Sequence, residues 1–136
     1  MATFQTAGEL YDVLGTFLAE LTLEPELRPK FVGANTSMLV RYTDPDARIL
    51  IDCRCDPPVV VAGPPEATEA DVSLTMSADD GHRFWLGRYN VALGLSRRQV
   101  TVSGSMGTMM KLLPAMQPAF SRYQAFLETN GHGQLL

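Results

Sequence analysis

The sequence is poor in the residues from which catalytic and metal centres are built. Its 136 residues include two histidines and two cysteines, so a site with several histidine ligands is excluded. Cys53 and Cys55 would point the same way on a strand, where neighbouring thiols make a poor structural disulfide, and a reducing compartment suits them best. We therefore expect no metal ion, no cofactor and no catalytic residue.

Long apolar runs are also lacking. No stretch approaches the ~18 apolar residues of a membrane span, and no cationic region followed by an apolar segment opens the chain. Charged residues make up 19% of the sequence, below the usual ~25%, and hydrophobic residues make up 46%, which excludes intrinsic disorder. These features predict a soluble, cytoplasmic single domain that spans residues 1–136 and has apolar side chains to spare.

Acidic residues are scarce in the C-terminal part of the chain. Residues 81–136 carry six basic side chains and one acid, Glu128, whereas residues 1–80 carry fourteen acids and five basic side chains. The overall net charge of −4 argues against a nucleic-acid-binding protein. The basic part is suited to an anionic head group or membrane surface, and attraction between the two parts within one fold is the alternative.

The N-terminal half changes from a helical to a strand pattern. Capping-box spacing at Thr6–Glu9 precedes apolar residues that recur at helical intervals from Leu10 to Leu21. Pro25 and Pro29 are expected to end this helix and to begin a turn-rich passage. Alternating apolar residues then predict four strands, of which the first two form a hairpin and the third is a short edge strand. The alternating runs are residues 38–42, 49–55, 59–61 and 71–77.

The C-terminal half returns to the helical pattern. Ser77 and the acids that follow it are typical of a helix start. Helical spacing resumes from Ser105, with a break at Pro114, and residues 131–136 are expected to be frayed. Such an order predicts an α+β fold, with a mostly antiparallel sheet covered by helices on one face. Two short helices and a fifth strand lie between these points, at residues 78–86, 90–95 and 99–103.

The turn Gly104-Ser105-Met106-Gly107 lies between the last strand and a helix, where backbone N–H groups can bind a phosphate. It lacks the Gly-Lys-Ser/Thr of a P-loop and the third glycine of a dinucleotide-binding motif. A tight turn with close backbone packing explains both glycines better.

The C-terminal helices carry more bulky apolar side chains than one sheet face and a long helix need. Four of the seven methionines lie between residues 106 and 116, and methionine adapts to irregular shapes and to variable apolar partners. Ordinary core packing is the alternative interpretation. A second apolar cluster lies on the preceding short helices. The candidate residues for an apolar ligand are Phe84, Trp85, Val91, Leu93, Leu95, Met106, Met109, Met110, Leu113, Met116 and Phe120.

Several motifs that span residues 70–113 follow one another in a characteristic order. They are a strand that ends in Ser77, an acidic helix start, Gly87 and Asn90, a strand that ends in Gly104, and an apolar helix. In this order they resemble the sterol carrier protein-2 (SCP2) family, with the chain as a bacterial-type single-domain member. The resemblance implies a five-stranded sheet whose helices leave an apolar tunnel for sterols, fatty acids, acyl-CoAs or phospholipids.

Two positions depart from the pattern of that family. Ser105 stands where the family often has an acidic residue, and Arg97-Arg98 stands where a Gly-Lys pair is common. The head-group preference of the family is therefore not transferred to this chain.

The resemblance and the apolar surplus together lead us to expect non-catalytic binding or transfer of a lipid. The ligand would lie between the sheet and the helical segments 84–95 and 106–120, and the last helix is either a lid or a permanent cover. Basic side chains at the mouth would hold a carboxylate or phosphate, or touch an anionic membrane transiently. The candidate head-group residues are Arg83, Arg88, Arg97, Arg98 and Lys111.

Two other classes of function stay open at this point. The domain is alternatively an accessory or scaffold that presents a lipid-like intermediate to partner enzymes, or a homodimer formed through its apolar helices. A small hydrolase or thioesterase would use His82 with Cys53, or with Asp79 and Asp80. The enzyme interpretation predicts that these polar groups converge in the pocket, and the carrier interpretation predicts a pocket with almost none.

Overall fold

The computed structural model of the protein describes the backbone of residues 3–136, and their side chains apart from those of residues 106, 111 and 113–115. The helices are α1 (Ala7–Leu10), α2 (Thr16–Leu21), α3 (Arg28–Ala34), α4 (Ala78–Trp85), α5 (Val91–Ser96), α6 (Met106–Met116) and α7 (Ala119–Thr129). The strands are β1 (Ser37–Thr43), β2 (Ala47–Asp52), β3 (Val59–Ala62), β4 (Val72–Ser77) and β5 (Thr101–Gly104). A π-helical turn (Tyr11–Gly15) joins α1 to α2, and a 3₁₀ turn (Gly133–Leu135) lies near the C-terminus.

The five strands form one mixed sheet in the order β3-β2-β1-β4-β5. Strand β1 pairs antiparallel with β2, β2 with β3, and β4 with β5, whereas β1 and β4 run parallel. The predicted α+β fold with a five-stranded, mostly antiparallel sheet is therefore confirmed, and β3 is an edge strand as predicted. The parallel pair requires a crossover between β3 and β4.

This crossover passes over the sheet face that the helices leave open. Arg41 of β1 and Arg48 of β2 are register partners on that face. The Arg41 guanidinium donates to the carbonyl of Glu66 (3.3 Å), and Nε of Arg48 donates to the carbonyl of Pro64 (3.1 Å). The helices therefore cover the opposite, inner face.

The apolar core lies between the helices and the inner face of the sheet. Because side chains alternate along a strand, β1 directs Met38, Val40 and Tyr42 inward. The apolar faces of α2, α4, α6 and α7 pack on this surface in one continuous core. The neighbouring strands add their own inward residues at matching register positions, namely Ile49, Ile51, Val72, Leu74 and Met76.

Capping side chains fix where the two short helices next to the core begin. The Ser77 hydroxyl accepts from the backbone N–H of Asp80 (3.1 Å), so β4 passes into α4 without a loop. The Asn90 side chain accepts in the same way from the N–H of Leu93 at the start of α5 (3.1 Å). Both residue types are favoured N-caps, and the sequence correctly predicts both helices.

Two helices contain a proline at a position where a turn or a break was expected. Pro29 lies in the first turn of α3, where the missing N–H would have no helical partner in any case. Helix α6 runs through Pro114 to Met116. The turn that separates it from α7 lies at Gln117–Pro118 instead. The flanking Leu112 and Met116 are both buried, so packing on the core outweighs the lost hydrogen bond. The expected turn at Pro29 and break at Pro114 are therefore wrong.

Candidate functional site

An apolar cavity lies between the inner face of the sheet and helices α4, α5 and α6. Its volume is about 50 Å³, whereas pockets for drug-sized ligands usually measure ~300–1,000 Å³. Its walls carry no charged side chain. The lining residues are Leu18, Met38, Val40, Tyr42, Ile51, Leu74, Met76, Gly81, Phe84, Trp85, Val91, Met109 and Met116.

The floor of the cavity is formed by strands β1, β2 and β4. Val40 lies opposite Leu74, and Tyr42 opposite Met76, in the parallel β1–β4 pair. Tyr42 supplies the one hydroxyl among the lining side chains, and burial raises its pKa, so that it stays neutral. The floor therefore offers apolar contact and no charge to a ligand.

The roof of the cavity comes from three helices that the sequence singled out. Phe84 and Trp85 project from α4, Val91 from α5, and Met109 and Met116 from α6. Met109 and Met116 are seven residues apart, which is two helical turns and places both on one face of α6. Five of the candidate apolar residues are thus brought together.

The other candidate apolar residues lie elsewhere. Leu93 and Met110 are each 45% exposed and point to solvent. Leu95 and Phe120 are half-buried at the margin of the core, where the Phe120 ring packs edge-on against Phe84 with centroids 5.5 Å apart. The remaining two candidates lie outside the described side chains, namely Met106 and Leu113.

Sequence reasoning placed the ligand against the sheet but identified none of the lining residues that the sheet and α2 contribute to the cavity. The signal was present in the alternation of β1 and β4, which identifies an inward face but not what that face contacts. Gly81 was also missed: a Cβ at this position would lie 2.7 Å from Cε1 of Tyr42. Glycine therefore allows α4 to pass close over the Tyr42 ring.

Aromatic rings connect the roof of the cavity to α2 and α7. Trp85 packs edge-on against Phe84 (centroids 4.9 Å apart) and Phe17 (5.6 Å). Phe17 in turn contacts Tyr123 (4.7 Å) and Phe126 (5.5 Å) of α7. Trp85 therefore lies where any ligand that enlarges the cavity would change its surroundings.

The histidine that an enzyme would need is used as a structural link. Nε2 of His82 donates to the carbonyl of Leu135 (2.6 Å), and Nδ1 accepts from the Tyr123 hydroxyl (2.7 Å). Burial lowers the pKa of His82, so the ring is neutral at pH 7. The segment 131–136, expected to be frayed, is thereby joined to α4 through its 3₁₀ turn.

The other polar candidates for catalysis do not converge with His82 on the cavity. Burial and the neighbouring Asp52 raise the pKa of the Cys53 thiol to about 11, so a thiolate is not populated at neutral pH. Asp79 accepts from the backbone N–H of Thr3 (2.7 Å). Within the described residues, no group of three or more His, Cys, Asp or Glu side chains is placed to hold a metal ion.

The candidate head-group residues lie on the surface around α4 and α5. Arg83 forms an ion pair with Asp80, and its guanidinium lies 5.9 Å from the centroid of the Tyr89 ring. Arg88, Arg97 and Arg98 are exposed, and the side chain of Lys111 lies outside the described set. None of the four described arginines lines the cavity.

A second, more open cavity of about 390 Å³ lies between α2 and α7. Its lining is mixed, with Phe17, Leu21 and Phe126 beside charged groups. Arg122 on one side bonds to Glu24 (2.9 Å) and Glu26 (3.0 Å) on the other. These ion pairs tie α7 to the segment that follows α2.

A family model and several solved structures are similar to this chain. The model of the SCP-2 sterol transfer family matches residues 16–117. No curated protein sequence matches significantly. None of the helices within residues 3–136 has the length and apolar character needed to cross a membrane.

Three solved structures share the fold at low sequence identity. Sterol carrier protein 2 from Yarrowia lipolytica (apo form) has a TM-score of 0.62 and 16% identity, with 83% of this chain and 91% of that chain covered. Sterol carrier protein domain 2 of Helicoverpa armigera has a TM-score of 0.63 and 16% identity, with 81% and 89% covered. The ubiquinone synthesis protein UbiJ-SCP2 has a TM-score of 0.57 and 13% identity, with 83% and 89% covered.

Proposed function

Because the chain belongs to the SCP-2 sterol transfer family, we propose that it binds a long-chain lipid in the apolar cavity and carries it without chemical change. The observation that supports this function best is the lining itself. All of its side chains are uncharged, while the ring nitrogens of His82 on α4 are bonded elsewhere. Such a site binds by burial of apolar surface rather than by chemistry.

Lipid binding requires the cavity to grow from about 50 Å³ by roughly 250 Å³, if it is to reach the lower limit of usual ligand pockets. Four of the lining residues are methionines, whose unbranched side chains change shape at low cost. A chain that buries ~10 methylenes gains roughly 8 kcal/mol. Rearrangement and ordering reduce this gain, so micromolar or weaker affinity is expected, which suits a carrier that must release its ligand.

Two adjacent methionines on α6 provide a matched test of this site. Met109 is 2% exposed and lines the cavity, whereas Met110 is 45% exposed. We expect Met109→Arg to abolish binding of a long-chain fatty acid, because an arginine in the wall would have to be buried without a partner. Met110→Arg should bind as the unmodified chain does. The measurement is the emission of Trp85, the single tryptophan, during titration with palmitate.

A milder variant separates loss of binding from loss of folding. Val91→Phe fills the cavity from α5 and should weaken palmitate binding, while overpacking costs about 1–3 kcal/mol of stability. Circular dichroism would show that each variant is folded. The proposal fails if the folded unmodified chain shows no response to palmitate and retains no lipid in native mass spectrometry, or if Met109→Arg and Met110→Arg bind equally well.

We further propose that Arg88 receives the head group of the ligand, rather than the other candidate arginines near α4 and α5. Among the candidates outside α4, Arg88 follows that helix most closely and is exposed, and arginine binds carboxylate and phosphate well. Arg88→Gln should weaken binding of palmitate more than that of the uncharged hexadecan-1-ol. Equal effects on the two ligands would contradict this role.

A scaffold function is the second candidate, and the exposed Leu93 and Met110 favour it because exposed apolar side chains are typical of contact surfaces. The fold neighbour UbiJ-SCP2 is described as a ubiquinone synthesis protein. A scaffold of this kind would present a lipid-like intermediate to partner enzymes, or would form homodimers. Stable co-purification of such enzymes together with an isoprenoid lipid would support it over a free carrier.

We propose a cytoplasmic setting and no catalytic role for the same chain. Cys53 and Cys55 are both free thiols, which suits a reducing compartment. His82, Asp79 and Asp80 are bonded in structural contacts, and the raised pKa of the Cys53 thiol keeps it protonated. If the chain hydrolyses an ester or thioester and His82→Gln abolishes that hydrolysis, the proposal that the chain has no catalytic role is wrong.

A further inference from the structure

Helix α5 is a thin wall between the apolar cavity and solvent. Val91 lines the cavity, whereas Leu93 is 45% exposed. At about 100° per residue, the exposed Ala92, Leu93, Ser96 and Arg97 share one side of α5, and Val91 lies on the other. The helix therefore presents an apolar residue to the cavity and another to the outside.

The outer side of α5 ends in two exposed arginines that are not paired with an acid among the described residues. These are Arg97 and Arg98. Arg28 and Arg54, by contrast, are paired with Asp56 and Asp52 respectively. No acidic residue occurs between positions 81 and 127, so all the charged residues that flank α5 in the sequence are basic.

We infer that the outer side of α5, formed by Ala92, Leu93, Ser96, Arg97 and Arg98 and here called the α5 surface, docks onto an anionic phospholipid membrane. Unpaired arginines attract anionic lipid head groups, at about five-fold in affinity for each basic residue near the surface. An exposed leucine beside them enters the interfacial region.

Charge complementarity favours a membrane over a second copy of the chain as the partner. In a two-fold dimer through this surface, the same patch would face itself. The arginine pairs of the two copies would then repel each other.

Docking in this way brings the cavity wall to the lipid. Val91 lies across one helix from the bilayer, so a displacement of α5 opens the cavity toward acyl chains rather than toward water. The docking surface does not require a filled cavity, and its failure is distinguishable from failure of the proposed lipid site. Only the passage of lipid between the membrane and the cavity rests on the proposed function.

Vesicle binding tests the arginines. The unmodified chain should co-sediment with vesicles of equal parts phosphatidylcholine and phosphatidylglycerol, should not do so with phosphatidylcholine alone, and should be released by high salt. Arg97→Gln combined with Arg98→Gln should weaken binding about 25-fold, at about five-fold for each arginine. Arg28→Gln combined with Arg54→Gln makes the same change in net charge and should alter binding less than about two-fold, since both residues are already paired.

A leucine pair tests the apolar contribution. Leu93→Ser should weaken vesicle binding by about five-fold. Leu23 is similarly exposed, at 52%, but stands next to Glu24, and Leu23→Ser should leave binding unchanged. The inference is overturned if the two arginine double variants weaken binding equally, if the two leucine variants do, or if the unmodified chain ignores anionic vesicles.

A measurement without vesicles separates the two proposals. Palmitate binding followed through Trp85 in vesicle-free buffer should be the same in all four surface variants, because none of the changed residues lines the cavity. Normal vesicle docking by a chain that binds no palmitate overturns the lipid site and supports the surface. Normal palmitate binding by a chain that does not bind anionic vesicles contradicts the proposed role of the α5 surface.

Discussion

At the scale of single residues, the two glycines on either side of the start of α6 have different roles. Gly104 has a φ of 97°, and a Cβ there would collide with the backbone carbonyl oxygen of Asp71, the residue that precedes β4. A Cβ at Gly107 would meet nothing within 4 Å. Close backbone packing, which the sequence favoured over phosphate binding, therefore explains Gly104 but not Gly107.

This difference predicts opposite outcomes for the same substitution. Gly104→Ala should lower the free energy of unfolding by about 2–4 kcal/mol, because it combines a left-handed backbone with a clash between β5 and β4. Gly107→Ala should leave stability unchanged or raise it by up to about 1 kcal/mol, since alanine is the better helix former. Urea titration of both variants measures this, and similar values for the two would contradict the packing explanation.

His82 makes stability depend on pH through a second residue-scale effect. Burial lowers its pKa, the bond to the Leu135 carbonyl and the Asp79 carboxylate oppose the shift, and Arg88 adds to it. The folded chain therefore takes up a proton at lower pH than the unfolded chain, whose histidine titrates near ~6.5. The unfolded state binds more protons in the interval between the two pKa values, so stability falls as pH falls through that interval.

We expect the free energy of unfolding to be constant from pH 8 to about 7, and then to fall below about pH 6.5 with a slope of at most about 1.4 kcal/mol per pH unit from this residue. His82→Gln should be less stable at pH 7 but should lose this part of the pH dependence. His132→Gln, in the C-terminal segment, is the control and should keep it. Urea titrations at pH 7.5 and 5.5 are sufficient, and an unchanged slope in His82→Gln would contradict the role of the buried ring.

At the scale of elements, local signals located most helices and strands. Ser77 and Asn90 are N-caps whose chemistry is visible in the sequence, and they position α4 and α5, which carry three residues of the cavity roof. Proline misled the assignment because its effect depends on its place in a helix. At Pro29 that place was set by where α3 begins, which no local cap indicates.

The sheet shows why part of the candidate site was not predictable. The alternation of β1 and β4 is local, but their parallel pairing depends on a crossover that is held by Arg41 and Arg48. Only this pairing brings Val40 and Leu74 side by side in the cavity floor. Conversely, spacing alone could not show that Met109 faces inward and Met110 outward, since both fit a helix with two apolar sides.

Helices α5 and α7 also differ in how easily each can move. Displacing α7 would expose Tyr123, Phe126 and Leu127, which are buried, and would break the contact of Tyr123 with His82. Displacing α5 would expose mainly Val91. Since a large buried apolar side chain contributes about 1.5–3 kcal/mol, α5 is the less costly element to move, and α7 is better described as a cover than as a lid.

At the scale of the whole molecule, the apolar surplus of the sequence is distributed over both layers of the fold. The sheet supplies six of the thirteen lining residues and the helices the other seven. A ligand that enlarges the cavity must therefore separate two packed layers, and its gain is set by how much of its chain it buries between them. The length of the acyl chain, rather than the head group, should decide how strongly the folded state is stabilised.

Thermal unfolding with fatty acids of different length tests this coupling. Palmitate at a hundred times its dissociation constant should stabilise the folded state by about 2.7 kcal/mol, which raises the midpoint of a domain of this size by on the order of 9 °C. Octanoate at the same concentration should give a much smaller shift, because each missing methylene removes about 0.8 kcal/mol of burial. Val91→Phe, with a smaller cavity, should reduce the palmitate shift more than the octanoate shift. Equal shifts for both acids would mean that binding depends on the carboxylate alone, and would place the ligand outside the layers.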